Sequence, residues 1–274
     1  MTLLQSIILG IIQGLTEFLP ISSSGHLVIV PYLLDWHIPA QEAFIFNVLV
    51  QLGSLLAVIV YFRKDLYRII VAVITGLIHR QPFYDPLSRL GWYLVLATIP
   101  AVIAGLLFKN LVEAAFASPL ASTLFLFGTA ALLVIAERVG KRNRQFDSTS
   151  WKDALIVGLF QVISLLPGIS RSGSTISGGM IRNLDRPSAA RFSFLMSVPV
   201  MLGAGALAVF DLIKLPNFSV QIPTLVAGFI TSAIVGYLSI RWLLSYLAKR
   251  PLYLFVIYCT VVPTIVLIFS FLQS

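Results

Sequence analysis

Two short stretches hold most of the residues in this chain that could do chemistry. The first is Gln13-Gly-Leu-Thr-Glu17-Phe-Leu-Pro20-Ile-Ser22-Ser23-Ser24-Gly25-His26, and the second is Gln161-Val-Ile-Ser-Leu-Leu-Pro167-Gly168-Ile-Ser170-Arg171-Ser172-Gly173. They align without a gap, each residue 148 positions from its mate. Gln13 meets Gln161, Ser22 meets Ser170, and Gly25 meets Gly173. The copies are complementary: Glu17 and His26 belong to the first, Arg171 to the second. We expect the two turns to meet in one site that handles phosphate.

The residue types say why. Arg carries a planar fork of donors that matches phosphate oxygens. Ser170, Ser172, Ser174 and Thr175 surround Arg171 with hydroxyls, and Gly168 and Gly173 let backbone N–H groups come close. A helix restarting after the turn would aim its N-terminus at an anion. The plainer alternative is that Arg171 only bridges to Glu17. In the first turn His26 lies beside Ser22, Ser23 and Ser24, and a His among hydroxyls can serve as base, acid or nucleophile. Glu17 can bind a divalent metal or orient the His. Gln13, one helical turn earlier, adds an oxygen. This oxygen-rich set suits Mg²⁺ or Ca²⁺ better than zinc. His26 without its neighbours would be an ordinary interfacial histidine; His37 and His79 have no such company and are expected in loops. An anion clamp, a metal site and a His/Ser pair suggest phosphoryl transfer to water.

These turns must be held by membrane helices. The chain is 58% hydrophobic and 11% charged, against about 25% charged in soluble domains. The apolar runs are long and do not alternate, so helices are expected and a barrel is not. The net charge of +8 does not indicate nucleic acid, because the basic residues cluster between apolar runs. The single cysteine, Cys259, excludes a disulfide framework. The first dozen residues lack Lys and Arg, so a cleaved signal peptide is not expected.

An apolar helix over about 3–19 stops at Pro20 and the serine-rich turn, and a short run follows at about 27–35. Together they form a re-entrant hairpin. A second hairpin covers about 153–181. The competing picture makes each a single kinked span. Six full spans are expected at about 42–62, 91–110, 119–137, 192–213, 223–243 and 252–272. Asn47 and Gln51 share a face of the first of these, facing either the same cavity or a neighbouring helix. The stretch from Arg63 to Arg89 is expected as a basic loop. Of 19 Lys and Arg residues, 16 then collect on one side, with Lys109 and Lys214 opposite and Arg171 in the second turn. By the positive-inside rule that side is cytoplasmic and both termini lie outside. The architecture expected is all-α integral membrane: six transmembrane helices plus two re-entrant helical hairpins. It is one polytopic domain of two inverted pseudo-repeats, 1–137 and 153–272. Ile99–Gly105 and Ile230–Gly236 echo one another weakly.

On both motifs the sequence resembles the undecaprenyl-diphosphate phosphatases, also described as bacitracin-resistance proteins. Gln13 to His26 is similar to that family's Glu/Gln-x-x-x-Glu motif running into Ser-Ser-x-Gly-His. Pro167 to Thr175 is similar to its Pro-Gly-x-Ser-Arg-Ser-x-x-Thr motif. The resemblance covers essentially the whole chain. It implies a metal-dependent enzyme of the bacterial inner membrane, active toward the outer face. The enzyme would convert undecaprenyl diphosphate to undecaprenyl phosphate, the carrier for cell-wall precursors. It implies Glu17 in metal binding or base work, Ser23 and His26 in the chemical step, and Arg171 with Ser170 and Thr175 on the diphosphate. Ser22, Ser24, Gly25, Gly168, Ser172 and Gly173 complete the expected substrate cradle. Many family members have Glu at position 13, so Gln13 weakens a two-carboxylate metal site. The reading taken is Ser23 as nucleophile, His26 assisting, and Glu17 with Gln13 on the metal.

A transporter or flippase for undecaprenyl phosphate or another organic anion is the alternative. Inverted repeats with broken helices are also a transporter signature. The partners expected are a polyprenyl diphosphate lipid and the membrane, and not a nucleic acid. The many Gly and Ala residues in the spans permit self-association without requiring it.

Overall fold

Where apolar runs are interrupted by Pro, Gly and Ser, helices begin and end, and the computed structural model is helical throughout. It describes residues 1–116, 118–212 and 218–273. The helices are α1 (Leu3–Phe18), α2 (Ser23–Leu33), α3 (Ala40–Tyr61), α4 (Arg63–Ile78), α5 (Pro86–Leu107) and α6 (Lys109–Phe116). They continue with α7 (Pro119–Val139), α8 (Trp151–Ile163), α9 (Arg171–Ile181), α10 (Arg186–Leu212), α11 (Phe218–Leu247) and α12 (Tyr253–Gln273). No sheet occurs among the described residues.

Among the described residues, five helices are long and apolar enough to cross a membrane: Glu42–Tyr61, Pro86–Leu107, Pro119–Val139, Ile222–Leu247 and Tyr253–Leu272. The chain is a multi-pass membrane protein. Large apolar side chains such as Leu106, Leu107, Ile257 and Ile265 stand on the outer surface, where lipid rather than water meets them. Inside, Phe18 meets Phe194 edge-on with ring centroids 5.4 Å apart, within a core that includes Leu126, Ile176 and Met196.

α1 and α2 pack against one another, as do α8 and α9. Each pair of half-length helices is thus in contact across its turn. At about 1.5 Å per residue, α2, α8 and α9 fall well short of a hydrocarbon core about 30 Å thick. The contacts also echo the internal repeat: α1 packs on α11, and its mate α8 packs on α5. Both contacts use small residues. A Cβ on Gly14 would lie 2.8 Å from the Gly236 nitrogen and the Ser232 carbonyl oxygen, and one on Gly158 would lie 2.5 Å from the Ala97 oxygen. Gly10 and Gly14, four apart, form the small-xxx-small stripe that lets membrane helices touch backbone to backbone.

Two elements differ from the sequence expectation. The basic stretch after α3 is mostly helix: α4 carries Arg63, Lys64 and Arg68 at its start, and only residues 79–85 connect it to α5. Apolar residues behind the charges, with Ile69 buried and Ile70, Ile74 and Ile78 exposed, make helix the better solution beside a membrane. His79 caps that helix, and His37 lies in the loop expected of it. The short helix α6 was also not foreseen. Lys214 lies outside the described residues.

The basic ends of the helices are tied by ion pairs. Glu137 of α7 takes Arg142 and Arg186, each at 2.6 Å, and accepts from the Leu252 nitrogen ahead of α12. Asp153 of α8 is fully buried and takes Arg144 at 2.7 Å and Arg182 at 2.8 Å. Burial pushes the Asp153 carboxyl up, but hydrogen bonds from Arg144, Ser150 and Arg182 prevail and hold it at about 2. The Asp153 pairs tie the start of α8 to the end of α9, at the end of the hairpin away from its turn.

Candidate active site

Both turns are built the same way. In the first, Ser22 takes a positive φ of 70° and caps α2, its Oγ accepting from the Gly25 nitrogen at 3.3 Å. In the second, Ser170 caps α9 and accepts from the Gly173 nitrogen at 3.0 Å. The capping pairs are mates in the repeat. Each turn thereby presents the first N–H groups of a helix, the natural place for an anion.

The turns touch. A Cβ on Gly25 would lie 3.1 Å from the Gly168 Cα. Ser172 donates across the gap to the Leu19 carbonyl at 3.0 Å. Gly168 has φ +95°, and a Cβ there would fall 2.1 Å from the Ser122 oxygen, so only glycine fits. Thr129 of α7 clamps this second turn, donating to the Gly168 carbonyl at 3.0 Å and accepting from the Ser170 nitrogen at 2.8 Å. Beneath the first turn, the buried Cys259 thiol donates to the Pro20 carbonyl at 3.6 Å.

At the junction lies the buried carboxylate of Glu17. Its Oε1 pairs with Arg171 Nη2 at 2.9 Å. Its Oε2 accepts from Ser23 Oγ at 2.5 Å and from Gln13 Nε2 at 2.8 Å. Gln13 also reaches Ser54 of α3 at 3.3 Å, and Ser54 contacts Ser232 of α11 at 2.8 Å. Glu17, Ser23, Arg171 and Gln13, expected from sequence to share a site, are brought together by a single carboxylate. The Arg171–Glu17 bridge weighed as the plainer alternative is present too. Yet the arginine side chain keeps 18% of its surface exposed, so the bridge does not bury it.

His26 is not part of that cluster. Its Nδ1 bonds the Ser22 carbonyl at 2.7 Å and its Nε2 bonds the Tyr258 hydroxyl of α12 at 2.8 Å. Both ring nitrogens are therefore engaged away from Ser23, whose hydroxyl partner is Glu17. Among the cradle residues, Ser22 and Ser24 face one another at 3.3 Å, and Ser170 and Ser172 at 3.1 Å. Thr175 turns inward, donating to the Arg171 carbonyl at 2.8 Å and meeting Ser193 of α10 at 2.6 Å.

Sequence reading missed Tyr258, Ser54 and Thr129. Tyr258 is one aromatic in an apolar run and carries no local signal. Ser54 had a weak one, since it continues the polar face of Asn47 and Gln51. Those two line a cleft of about 740 Å³ between α1, α2, α3 and α6, walled by Leu9, Leu27, Phe46 and Phe116. The repeat has also drifted. Gln161 keeps the buried position of Gln13, but its mate for Glu17 is Leu165, and its amide has no hydrogen-bond partner among the described residues.

A metal must be judged against this donor set. No group of three or more His, Cys, Asp and Glu residues converges among the described residues. The chain offers one carboxylate, one amide and several hydroxyls. That fits Mg²⁺, which keeps its waters and binds through one or two carboxylates plus substrate phosphates, and it does not make a protein cage for Ca²⁺.

Known proteins are similar to this chain along nearly its whole length. An undecaprenyl-diphosphatase of Chlorobaculum tepidum is 44% identical over 266 residues, covering 94% of this chain and 93% of that protein. One of Chloroherpeton thalassium is 44% identical over 269 residues with the same coverage. One of Pelodictyon phaeoclathratiforme is 42% identical over 280 residues, 97% of this chain and 96% of its own. The family described as bacitracin resistance protein BacA matches residues 6–265, which include both turns, the clamp at Thr129 and the Tyr258 that meets His26. The chain belongs to the BacA bacitracin-resistance family.

Proposed function

We propose that the protein hydrolyses undecaprenyl diphosphate to undecaprenyl phosphate and inorganic phosphate. The observation that carries this reading is that one buried carboxylate, Glu17, holds both the Ser23 hydroxyl and the Arg171 guanidinium. A nucleophile is thus held beside its base and its phosphate binder. Relatives over 40% identical along nearly their whole length are undecaprenyl-diphosphatases, which supports the same conclusion.

In the mechanism, the diphosphate enters between the two helix N-termini and takes Arg171. Ser23 Oγ attacks the terminal phosphorus as its proton passes to Glu17 Oε2. The bond from phosphorus to the bridging oxygen breaks, and undecaprenyl phosphate leaves. Water then cleaves the phosphoserine, Glu17 returns its proton to Ser23 Oγ, and inorganic phosphate is released. His26 assists at this second step, with Nε2 as the nitrogen that takes the water's proton. Mg²⁺ entering with the diphosphate would be held by Glu17 and Gln13 and would neutralise charge building on the phosphate oxygens. The largely apolar cleft under α2, with Asn47 and Gln51 among its lining, takes the prenyl chain.

The membrane arrangement we infer has α10, 27 residues long, as a sixth span beside the five already described. Both hairpins are re-entrant, and the halves 1–137 and 153–272 are inverted repeats. The positive-inside rule puts the basic ends toward the cytoplasm and the mouth of the first turn toward the outer face of the bacterial inner membrane. A carrier would share the arginine cradle, but it has no use for a serine hydroxyl held on a carboxylate.

The test is phosphate release from a short-chain prenyl diphosphate by purified protein in detergent, for wild type and Ser23→Ala, with Mg²⁺ or with EDTA. Metal-dependent release that the variant loses is expected. No release from wild type with any divalent metal would sink the hydrolase reading and favour a carrier.

A further inference from the structure

We propose that Tyr258 is a positioning residue for His26: from α12 it donates a hydrogen bond to Nε2 and so holds the ring in the orientation in which the Ser22 carbonyl keeps the proton on Nδ1. His26 Nδ1 lies 2.7 Å from the Ser22 carbonyl oxygen. A carbonyl oxygen can only accept, so Nδ1 is the protonated nitrogen. Nε2 is then a bare lone pair, and the Tyr258 hydroxyl 2.8 Å away must be the donor. The two rings lie nearly parallel, 24° apart with centroids separated by 5.6 Å, which keeps the imidazole from swinging about its Cβ.

The arrangement spans three separate elements. Ser22 sets its carbonyl by its positive φ, His26 lies one turn into α2, and Tyr258 arrives from the last helix of the chain. The next residue, Cys259, donates to the Pro20 carbonyl in the same turn. α12 therefore grips the first turn at two successive residues, once under the backbone and once on the histidine. Without the hydroxyl, nothing on α12 would distinguish Nε2 from an apolar edge. The ring would be free to exchange its Ser22 bond for others and spend part of its time with the wrong nitrogen protonated. Neutral imidazole can take a proton only at its bare nitrogen. Tyr258 thus holds that buried nitrogen unprotonated and yields it when a reacting water replaces the hydroxyl.

Its kinetic consequence rests on the hydrolase reading, whereas the tautomer does not, and the two can be measured apart. Protein carrying ¹⁵N-labelled histidine in detergent has three histidines, so His26→Gln identifies the His26 signals. Wild type is expected to show one neutral tautomer protonated at Nδ1. Tyr258→Phe keeps the ring and removes only the hydroxyl. Its His26 signals should lose the single-tautomer pattern. Its kcat on a short-chain prenyl diphosphate should fall about tenfold, the value of one orienting hydrogen bond, while KM moves less than about twofold. An unchanged kcat, or His26 signals unchanged from wild type, would overturn the assignment. Should the variant not fold, wild type decides: a His26 protonated at Nε2 would overturn it as well. Absence of hydrolysis by wild type would instead count against the enzyme reading, leaving the tautomer result intact.

Discussion

If Glu17 works through Ser23, removing either should cost the same, and removing both should cost little more. The contact is a 2.5 Å bond from the half-buried Ser23 hydroxyl to an oxygen of the buried Glu17 carboxylate. Ser23→Ala deletes the nucleophile. Glu17→Gln keeps the shape of the side chain and hydrogen bonding to Gln13 but removes the base. Loss of a positioned general base costs about 10²–10⁴ in rate, or about 3–5 kcal/mol of barrier. Each single variant should therefore drop kcat by that order, and the double variant should fall to nearly the same floor, because members of one catalytic unit are strongly non-additive. His26 touches neither group, so Ser23→Ala in a His26→Gln background is also informative. The assay is phosphate release under saturating prenyl diphosphate, with a complete double-mutant cycle. Glu17→Gln carries a second effect, the loss of its charge to Arg171 at 2.9 Å and to the Mg²⁺ that it would hold. That effect belongs to binding and should appear in KM. Losses that simply multiply, so that the double variant is as poor as the product of the singles, would refute a Ser23–Glu17 couple.

Gly168→Ala should be severely damaging, since its Cβ would fall 2.1 Å from the Ser122 oxygen at a φ of +95°; a loss of at least about 3 kcal/mol in stability is expected from overpacking and backbone strain together, read as thermal unfolding in detergent. Gly14→Leu should separate α1 from α11 and abolish activity along with stability, and an active, stable variant would contradict the close backbone contact. Asp153 is held at about 2 against an ordinary 3.8, so its contribution is present above the ordinary value and is lost as pH falls through about 2. That is about 2 kcal/mol by linkage, and the unfolding temperature of wild type should drop between about pH 4 and pH 2 by a step that Asp153→Asn lacks. Chelation by EDTA should stop hydrolysis and added Mg²⁺ should restore it, without a change in far-ultraviolet circular dichroism, because the fold is held by its helices and not by a metal.

Much of this protein was legible before any coordinates. Hydropathy alone gave a helical membrane protein, since lipid offers no partner for an unpaired backbone group. The gapless repeat at 148 residues named both turns, and the complementary charges of Glu17 and Arg171 said that they must meet. The caps at Ser22 and Ser170 are likewise local chemistry. What local patterns could not supply was partnership across helices. Whether Ser23 pairs with His26, three residues on, or with Glu17, six residues back, depends on how the turn rotates one side chain, and the structure gives it to Glu17. The partner of His26 lies 232 residues away on a helix whose sequence says only that it is apolar. Helix α4 was mistaken for loop because charge at one end of a segment masks the apolar face behind it. Sequence determines which groups each turn carries, because turns are made by near neighbours. Only the packing of α12 and α7 against them decides which atoms face each other, because that depends on contacts made over the whole chain.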